Sequence, residues 1–202
     1  TVGGSFSGVA KQAELIPVRV FDCSGSASDA AVLAAMDWVR DDHRERGGGT
    51  AVVNMSFGGP PSSTLDAKAA QLDAEGLLVV TAIGNEGERR CGSPARASVS
   101  IGVAASTIDD TRAGFSNFGP CVDLFAPGAS IVSVDSTGGR TSGFRAMNGT
   151  SMAAPHVAGV AALLIEANPG WSPAQVRQRL IADATPGVIA GAGPDTPDRL
   201  LW

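Results

Sequence analysis

Tyrosine is absent from the 202 residues, and histidine occurs only twice. The 20 acidic residues outnumber the 15 lysines and arginines, which gives a net charge of -5 at pH 7. Without a basic patch, the sequence argues against nucleic acid as a partner. No apolar run looks long enough to cross a bilayer, which argues against a membrane partner as well.

Cysteine is also scarce, with one residue each at Cys23, Cys91 and Cys121. In a secreted protein this odd number leaves one cysteine without a partner inside the chain, whereas a reduced protein would bury all three as thiols. Composition alone leaves both interpretations open. The chain opens on Thr-Val-Gly-Gly, with neither a methionine nor a signal peptide, and we interpret it as the middle of a longer protein.

Apolar residues and glycine are abundant: 44% of the chain is hydrophobic, 17% is charged, and 26 residues are glycine. This composition and length predict one globular domain with a sizeable core. Apolar runs predict strands over residues 15–20, 51–55, 77–80, 99–104 and 122–125, and an extended stretch over 130–134 that turns at Gly138 and Gly139. Helices are predicted over 29–39, from a cap at Ser63 or Thr64 to 74, after Ser151, and from Ser172 onward. This alternation predicts an α/β fold with a parallel sheet between helices.

Ser151 is the candidate nucleophile. It lies between small residues at the start of an apolar helix, so its hydroxyl is uncovered and free N–H groups of the first turn surround it. Asn85 follows a buried strand within a glycine-rich loop, where its side-chain amide can donate to an oxyanion beside the Ser151 N–H. Ser151 and Asn85 together favour acyl transfer.

Neither histidine is a credible base for Ser151. His156 lies five residues further along the same helix, which turns its side chain to a different face, and we expect it to be a packed core residue. His43 lies in a charged helix end of mixed sign, and we expect it to be exposed and inert. The residues alone therefore give a nucleophile and an oxyanion donor without a base.

Several motifs of this chain resemble those of the subtilisin-like serine proteases, or subtilases, and most closely the proteinase K and aqualysin branch. The family's nucleophile motif resembles NGTSMAAPH at 148–156, and its substrate-wall segments resemble NMSFGG at 54–59 and AIGN at 82–85. Further blocks resemble FSNFG at 115–119 and DLFAPG at 123–128. The resemblance implies that residues 1–202 are the C-terminal two-thirds of a catalytic domain. Its fold would be a three-layer α/β sandwich with a mainly parallel central sheet, incomplete at the N-terminus.

The same resemblance implies a serine endopeptidase in which Ser151 is the nucleophile and Asn85 the oxyanion donor. The family's chain order is Asp, His, Ser, so the acid and the base would lie upstream and the chain by itself would be inactive. An extended peptide would bind between two segments, and small residues would form the wall of the pocket beside the cut. The substrate-binding residues implied are Gly25, Ser26, Ala27, Ser56, Phe57, Gly58, Ala82 and Gly84.

Two of these positions depart from the family's usual residues. Ala27 stands where glycine is usual, and Phe57 replaces the common leucine. We predict a preference for apolar or aromatic side chains near the cut.

The resemblance also implies a disulfide between Cys91 and Cys121, with Cys23 bonded to an upstream cysteine. A structural calcium ion would be held by carbonyl groups of Ser98 and Ser100 together with Asp123, which is an oxygen set suited to a hard cation. No organic cofactor is implied. We expect a secreted monomer that acts on peptides or proteins, with an inhibitory propeptide upstream.

Two other functions remain open at this stage. An α/β-hydrolase esterase is one, although the segment around Ser151 is one glycine short of the Gly-x-Ser-x-Gly elbow and no suitable histidine follows. The other is a catalytically inactive subtilase-like module that binds peptides or serves as a scaffold.

Overall fold

A computed structural model describes residues 1–135 and 143–201, so the turn predicted at Gly138 and Gly139 lies outside the described residues. The helices are α1 (Asp29–Glu45), α2 (Ser63–Ala74), α3 (Thr150–Ala167) and α4 (Pro173–Asp183). The strands are β1 (Ala51–Met55), β2 (Leu77–Ala82), β3 (Ile101–Ser106), β4 (Leu124–Pro127), β5 (Ile131–Asp135), β6 (Gly143–Met147), β7 (Thr185–Pro186) and β8 (Arg199–Leu200).

Within the described residues, the central sheet has the strand order β1-β2-β3-β4-β8-β7. Neighbouring strands are parallel from β1 to β8, and only β7 runs antiparallel to its neighbour. Helices α1 and α2 pack on one face of the sheet, and α3 and α4 pack on the other. The predicted three-layer α/β sandwich is therefore confirmed, with β5 and β6 forming a separate antiparallel hairpin.

The strands β2 and β3 are buried at every position, because helices cover both of their faces. A helix in each layer begins at a serine whose side chain caps it, α2 at Ser62 and α4 at Ser172. The side chain of Ser62 accepts a hydrogen bond from Leu65 N, one residue earlier than the predicted cap of α2. Ser172 forms a capping box with Gln175, and Pro173 occupies the first turn of α4 as predicted.

Helix α3 is long and apolar enough to cross a membrane by length and composition, so the expectation that the chain has no such run is wrong. Its buried residues include Ala153, Ala154, Val157 and Ala161, which join the core formed with β2, β3 and α4. A core helix between a sheet and a neighbouring helix has the same apolar composition as a membrane span. The packing of α3 identifies it as this core helix.

The strand predicted over residues 15–20 does not form. The segment is largely exposed, and a cavity of 690 Å³ separates it from β1; Ile16 and Val18 line one side and Val52 and Val53 of β1 line the other. An apolar run becomes a strand only when another strand pairs with it, and none does so here. For the same reason, β1 has one edge that no described strand covers.

His43 is buried, so the expectation that it is exposed is wrong. Its exposed fraction is 8%, and its Nε2 atom lies 3.1 Å from Gly49 O. A carbonyl oxygen can only accept, so Nε2 donates and ties the end of α1 to the turn before β1. The charged neighbours of His43 do face solvent, where Arg44 and Arg46 pair with carboxylates.

Cys91 and Cys121 form a disulfide, and Cys23 is free and exposed in this chain. The bridge closes a loop with a sequence separation of 30. Cross-linking a loop of this size contributes roughly 3–4 kcal/mol to the free energy of unfolding. The disulfide ties the loop after β2 to the segment before β4.

Candidate active site

Three segments meet at one edge of the sheet: the loop after β1, the loop after β2 and the first turn of α3. The first two follow the carboxyl ends of parallel strands, where open α/β sheets bind their ligands. Ser56 lies on the first loop, Asn85 on the second, and Ser151 on the helix. Hydrogen bonds from α3 to each loop hold the three segments together.

Ser151 is half-buried at the second residue of α3, directly after a turn that Gly149 makes possible. Gly149 caps the helix with φ 152°, a conformation that other residues adopt only with strain. Among the described residues, the Ser151 backbone N–H has no hydrogen-bond acceptor. It is therefore available to a ligand placed at the start of the helix.

The side chain of Asn85 is held by its oxygen. Asn85 Oδ1 accepts from Thr150 N at 2.8 Å and from the Thr150 hydroxyl at 3.0 Å. A backbone N–H can bond only to an acceptor, so this contact fixes which side-chain atom is the oxygen. Asn85 Nδ2 then lies on the opposite side, 3.7 Å from where a Cβ atom on Gly149 would stand, with no hydrogen bond to any described residue. The amide N–H groups of Asn85 and the N–H of Ser151 are thus both left as donors at the start of α3.

Ser56 and Ser151 contact each other through two hydrogen bonds. Ser151 Oγ donates to Ser56 O at 2.8 Å, and Ser56 Oγ donates to Ser151 O at 2.9 Å. Asn54 Nδ2 in turn donates to Ser56 Oγ at 2.9 Å. The nucleophile's proton therefore points to a carbonyl group, which can accept a hydrogen bond but cannot take the proton away.

Neither histidine contacts Ser151. His156, expected to be a packed core residue, is half-buried, and its Nδ1 donates to Met152 O at 2.8 Å. Desolvation by burial lowers the pKa of His156, which favours the neutral form of the ring. His43 lies at the other end of the sheet, beside the turn that precedes β1. The described residues hold no base for the Ser151 hydroxyl.

The residues expected to bind substrate lie on two facing loops. Gly25, Ser26 and Ala27 are exposed on a turn organised by Asp22, whose carboxylate accepts from Ser26 N at 3.0 Å. Phe21, just before this turn, contacts Phe57 of the loop after β1. The two ring centroids lie 5.4 Å apart, edge to face. No hydrogen bond links residues 24–27 to residues 56–58 within the described chain.

The wall residues on the other side lie next to one another. A Cβ atom on Gly58 would stand 3.7 Å from Ala82 O, so the loop after β1 runs beside the end of β2. Gly84 N donates to Thr150 Oγ1 at 3.2 Å, which ties this wall to the start of α3. Ser56 bonds Ser151, Gly58 lies beside Ala82, and Gly84 bonds Thr150, so these residues adjoin the start of α3.

The three residues expected to bind calcium differ in their burial. Ser98 is exposed, whereas Ser100 is buried and its hydroxyl donates to Pro94 O at 2.9 Å. Asp123 Oδ2 accepts from Gly102 N at 2.8 Å. Burial raises the pKa of Asp123, partly offset by the Gly102 N–H and by the charges of Arg177 and Arg199. Across residues 1–135 and 143–201, no cluster of three histidine, cysteine or acidic side chains suits a metal.

Sequence reasoning missed Thr150, which is fully buried and holds Asn85 through both its N–H and its hydroxyl. A threonine at the first position of a helix that follows a glycine cap was the available signal.

The sequence profile described as the subtilase family matches residues 1–199. The chain belongs to the subtilase family. A solved structure of a cold-adapted subtilisin-like serine proteinase superposes on this subtilase with a TM-score of 0.91 at 39% identity, covering 99% of the chain and 70% of that structure. The predicted family is therefore confirmed, while its proteinase K and aqualysin branch stays a prediction.

Several curated relatives of this subtilase are named as proteases. An extracellular serine proteinase of Thermus sp. (strain Rt41A) is 45% identical over the whole chain, which covers 48% of the relative. Alkaline serine exoprotease A of Vibrio alginolyticus is 43% identical over 94% of the chain and 34% of its own length. Subtilisin-like protease 1 of Trichophyton equinum is 42% identical over 100% of the chain and 39% of its own length. The chain thus spans half or less of the length of these curated relatives.

Proposed function

We propose that this chain is the part of a serine endopeptidase that carries the nucleophile and the oxyanion site. The observation that carries the proposal is the arrangement at the start of α3, where the Ser151 N–H and the Asn85 amide are both unbonded donors within the described chain. Two such donors beside a serine hydroxyl suit a tetrahedral oxyanion better than they suit the planar carbonyl of a bound peptide. Membership in the subtilase family supports the same reaction.

In the proposed reaction, Ser151 Oγ attacks the carbonyl carbon of a peptide bond while a base takes the hydroxyl proton. The carbonyl electron pair moves to the oxygen, which the Ser151 N–H and Asn85 Nδ2 stabilise. The C–N bond then breaks, the amine leaves with the proton, and the acyl group stays on Ser151. Water releases the acyl group in a second attack of the same kind.

We propose that the base comes from residues outside these 202, because the rings of His43 and His156 bond to Gly49 O and Met152 O instead. The 690 Å³ cavity along the open edge of β1 is consistent with an additional strand from that source, since it separates β1 from an extended segment on the far side. We therefore propose that the chain alone is inactive. Robust hydrolysis by the 202 residues alone, lost in Ser151→Ala, would overturn this part of the proposal.

The experiment is peptide hydrolysis by the longer protein that contains this chain, with the cleavage positions identified by mass spectrometry. An endopeptidase cuts internal bonds of a long peptide, whereas an esterase turns over only activated esters. Labelling with a fluorophosphonate should place the phosphoryl group on Ser151. A well-folded longer protein that neither cuts peptides nor accepts the label would instead be a peptide-binding or scaffold module, and the proposal would fail.

We propose that the substrate lies between the loop at Gly25, Ser26 and Ala27 and the loop at Ser56, Phe57 and Gly58, with apolar or aromatic side chains near the cut. The contact between Phe57 and Phe21 supports this, since it forms an apolar bridge between the two loops. A peptide-library profile dominated by charged residues near the cut would contradict the preference.

Replacing Phe57 by leucine should broaden that profile and raise KM by about 2–10-fold, because an aromatic pair contributes about 0.5–1.5 kcal/mol beyond its buried area. The measurement is the profile and the KM of the longer protein for one matched peptide. Phe6→Leu is the control, since it removes another aromatic pair, Phe6 with Phe144, which lies outside both loops. An unchanged profile in Phe57→Leu would exclude Phe57 from the substrate site.

We also propose a structural calcium ion at Asp123 with carbonyl groups of Ser98 and Ser100. A half-buried carboxylate with a raised pKa is destabilised when ionised, and a cation beside it would relieve that cost. A folded-state pKa above the unfolded value means that this carboxyl stabilises the fold most at low pH. Its contribution is lost as the pH rises through the folded pKa.

Calcium at 100 times its Kd should therefore raise the free energy of unfolding at pH 7 by about 2.7 kcal/mol, and Asp123→Asn should abolish that increment. Without calcium, Asp123→Asn should be more stable than the parent at pH 7 and lose this advantage under acid conditions. Thermal unfolding with and without calcium measures both effects, and Asp109→Asn on the exposed surface is the control. A calcium response that survives in Asp123→Asn would place the ion elsewhere.

The names of two relatives, an extracellular proteinase and an exoprotease, support secretion of this protein as well. The disulfide between Cys91 and Cys121 fits an oxidising compartment. We propose a secreted monomer that acts on peptides or proteins and is made with an inhibitory propeptide.

A further inference from the structure

Asn117 is a buried residue with all of its side-chain hydrogen bonds directed into the loop that carries Asn85. It lies between β3 and β4, and its exposed fraction is 1%. We infer that Asn117 is a positioning residue for the oxyanion site, acting through the conformation of the loop after β2. The inference rests on the proposed function, because it assigns a role to a residue that has no contact with substrate.

The contacts of Asn117 enclose Asn85 on both sides along the chain. Its Oδ1 accepts from Glu86 N at 3.1 Å and from Glu88 N at 3.0 Å. Its Nδ2 donates to Ile83 O at 3.1 Å and to Glu86 Oε2 at 2.5 Å. The backbone adds one more contact, from Asn117 N to Gly84 O at 3.1 Å. Asn117 is therefore hydrogen-bonded to the two residues before Asn85, Ile83 and Gly84, and to the residue after it, Glu86.

Gly84 shows how closely Asn117 and the loop fit. A Cβ atom on Gly84 would stand 2.4 Å from Asn117 Nδ2 and 2.7 Å from Glu86 Oε2. Gly84 also has φ 105°, which other residues rarely adopt. The loop can approach the buried amide only because this position has no side chain.

An amide is the side chain that these contacts require. The two loop N–H groups need an acceptor, while the Ile83 carbonyl and the Glu86 carboxylate both need a donor. An aspartate at position 117 would satisfy the N–H groups and place a second negative charge against Glu86 and Ile83 O. A leucine of similar shape would leave all four groups without this partner, three of them backbone groups of the loop.

Thr150 and Asn117 thus support Asn85 from two sides. Thr150 holds the side-chain oxygen of Asn85 from the helix, and Asn117 holds the backbone on either side of Asn85. Because an oxyanion donor acts only when it is held in position before the reaction, loosening the loop should reduce kcat. Ground-state binding should change little, because the backbone contact from Asn117 N to the substrate-wall residue Gly84 is kept in a side-chain substitution.

The experiment is a double-mutant cycle in the active longer protein, with Asn117→Asp and Asn85→Ala separately and together. We expect Asn117→Asp to lower kcat by about 10–100-fold, with KM within about twofold. In the Asn85→Ala background the same substitution should lower kcat by less than about threefold, because the donor that it positions is already gone. Equal reductions in both backgrounds would overturn the inference and leave Asn117 with a structural role only.

A stability control and a second Asn117 variant separate a positioning role from a general loss of stability. Thr50→Val removes a single hydrogen bond to Trp171 O beside the start of β1, so it should lower stability and leave kcat unchanged. Asn117→Ser is the second variant if Asn117→Asp does not fold, and it should show the same non-additivity with a smaller loss. If Ser151→Ala left hydrolysis intact, the proposed function itself would fail, whereas additive Asn117 effects in a Ser151-dependent enzyme would reject only the positioning role.

Discussion

Replacing Ser151 by alanine should reduce kcat for peptide hydrolysis by about 10⁶-fold in the longer protein, which is the size known for the nucleophile of subtilisin, a member of the same family. The neighbouring hydroxyl is not expected to substitute for it, since Ser56 Oγ already donates to Ser151 O. KM should change little, because the substitution removes one small hydroxyl from a site lined by other groups. The measurement is steady-state hydrolysis of a peptide with a chromogenic leaving group.

Ser56→Ala is the matched control for that prediction. It removes the Ser56 hydroxyl while keeping the carbonyl that accepts from Ser151 Oγ. The substitution loses two hydrogen bonds, one to Ser151 O and one from Asn54 Nδ2. Each contributes about 0.5–1.5 kcal/mol, so kcat/KM should fall by no more than about 150-fold, far less than in Ser151→Ala. If Ser56→Ala were as inactive as Ser151→Ala, or if Ser151→Ala retained most of its activity, the assignment of the nucleophile would be wrong.

The sequence predicts the central strands well, because their continuous apolar runs reflect burial on both faces of the sheet. The strand over 51–55 has its predicted bounds, and 77–80 and 99–104 are recovered within a few residues. Continuous apolar runs of this length have few other places to lie than in a sheet covered on both faces. Ser151 and the Asn85 loop were found for a related reason, since small residues beside a helix start leave backbone donors uncovered.

The wrong and missing predictions concern residues whose structure depends on contacts with other parts of the chain. Residues 15–20 have the composition of a strand, but a strand also needs a neighbour to pair with, and β1 is separated from them by a cavity. His43 was misjudged because its neighbours in sequence are charged, while its ring turns inward to Gly49. Asn117 was overlooked because its partners lie about 30 residues away along the chain.

The second large effect is expected at Asn85. Asn85→Ala should lower kcat by about 10²–10³-fold, or about 2.7–4 kcal/mol, the range known from the corresponding donor of subtilisin within the same family. KM should stay within about threefold, because the amide contributes most when charge develops on the oxygen. The measurement is hydrolysis of one peptide by the parent protein and by Asn85→Ala, with kcat and KM determined separately.

Asn85→Asp distinguishes the donor role from a structural one. The carboxylate can still accept from Thr150 N and the Thr150 hydroxyl, so the loop and the start of α3 should stay joined and the Tm should change little. It cannot donate at neutral pH, and its negative charge lies where the oxyanion would form. Asn85→Asp should therefore be at least as impaired as Asn85→Ala. An Asn85→Asp protein with near-normal kcat would show that the acceptor contact to Thr150, rather than the amide donor, is what the site needs from Asn85.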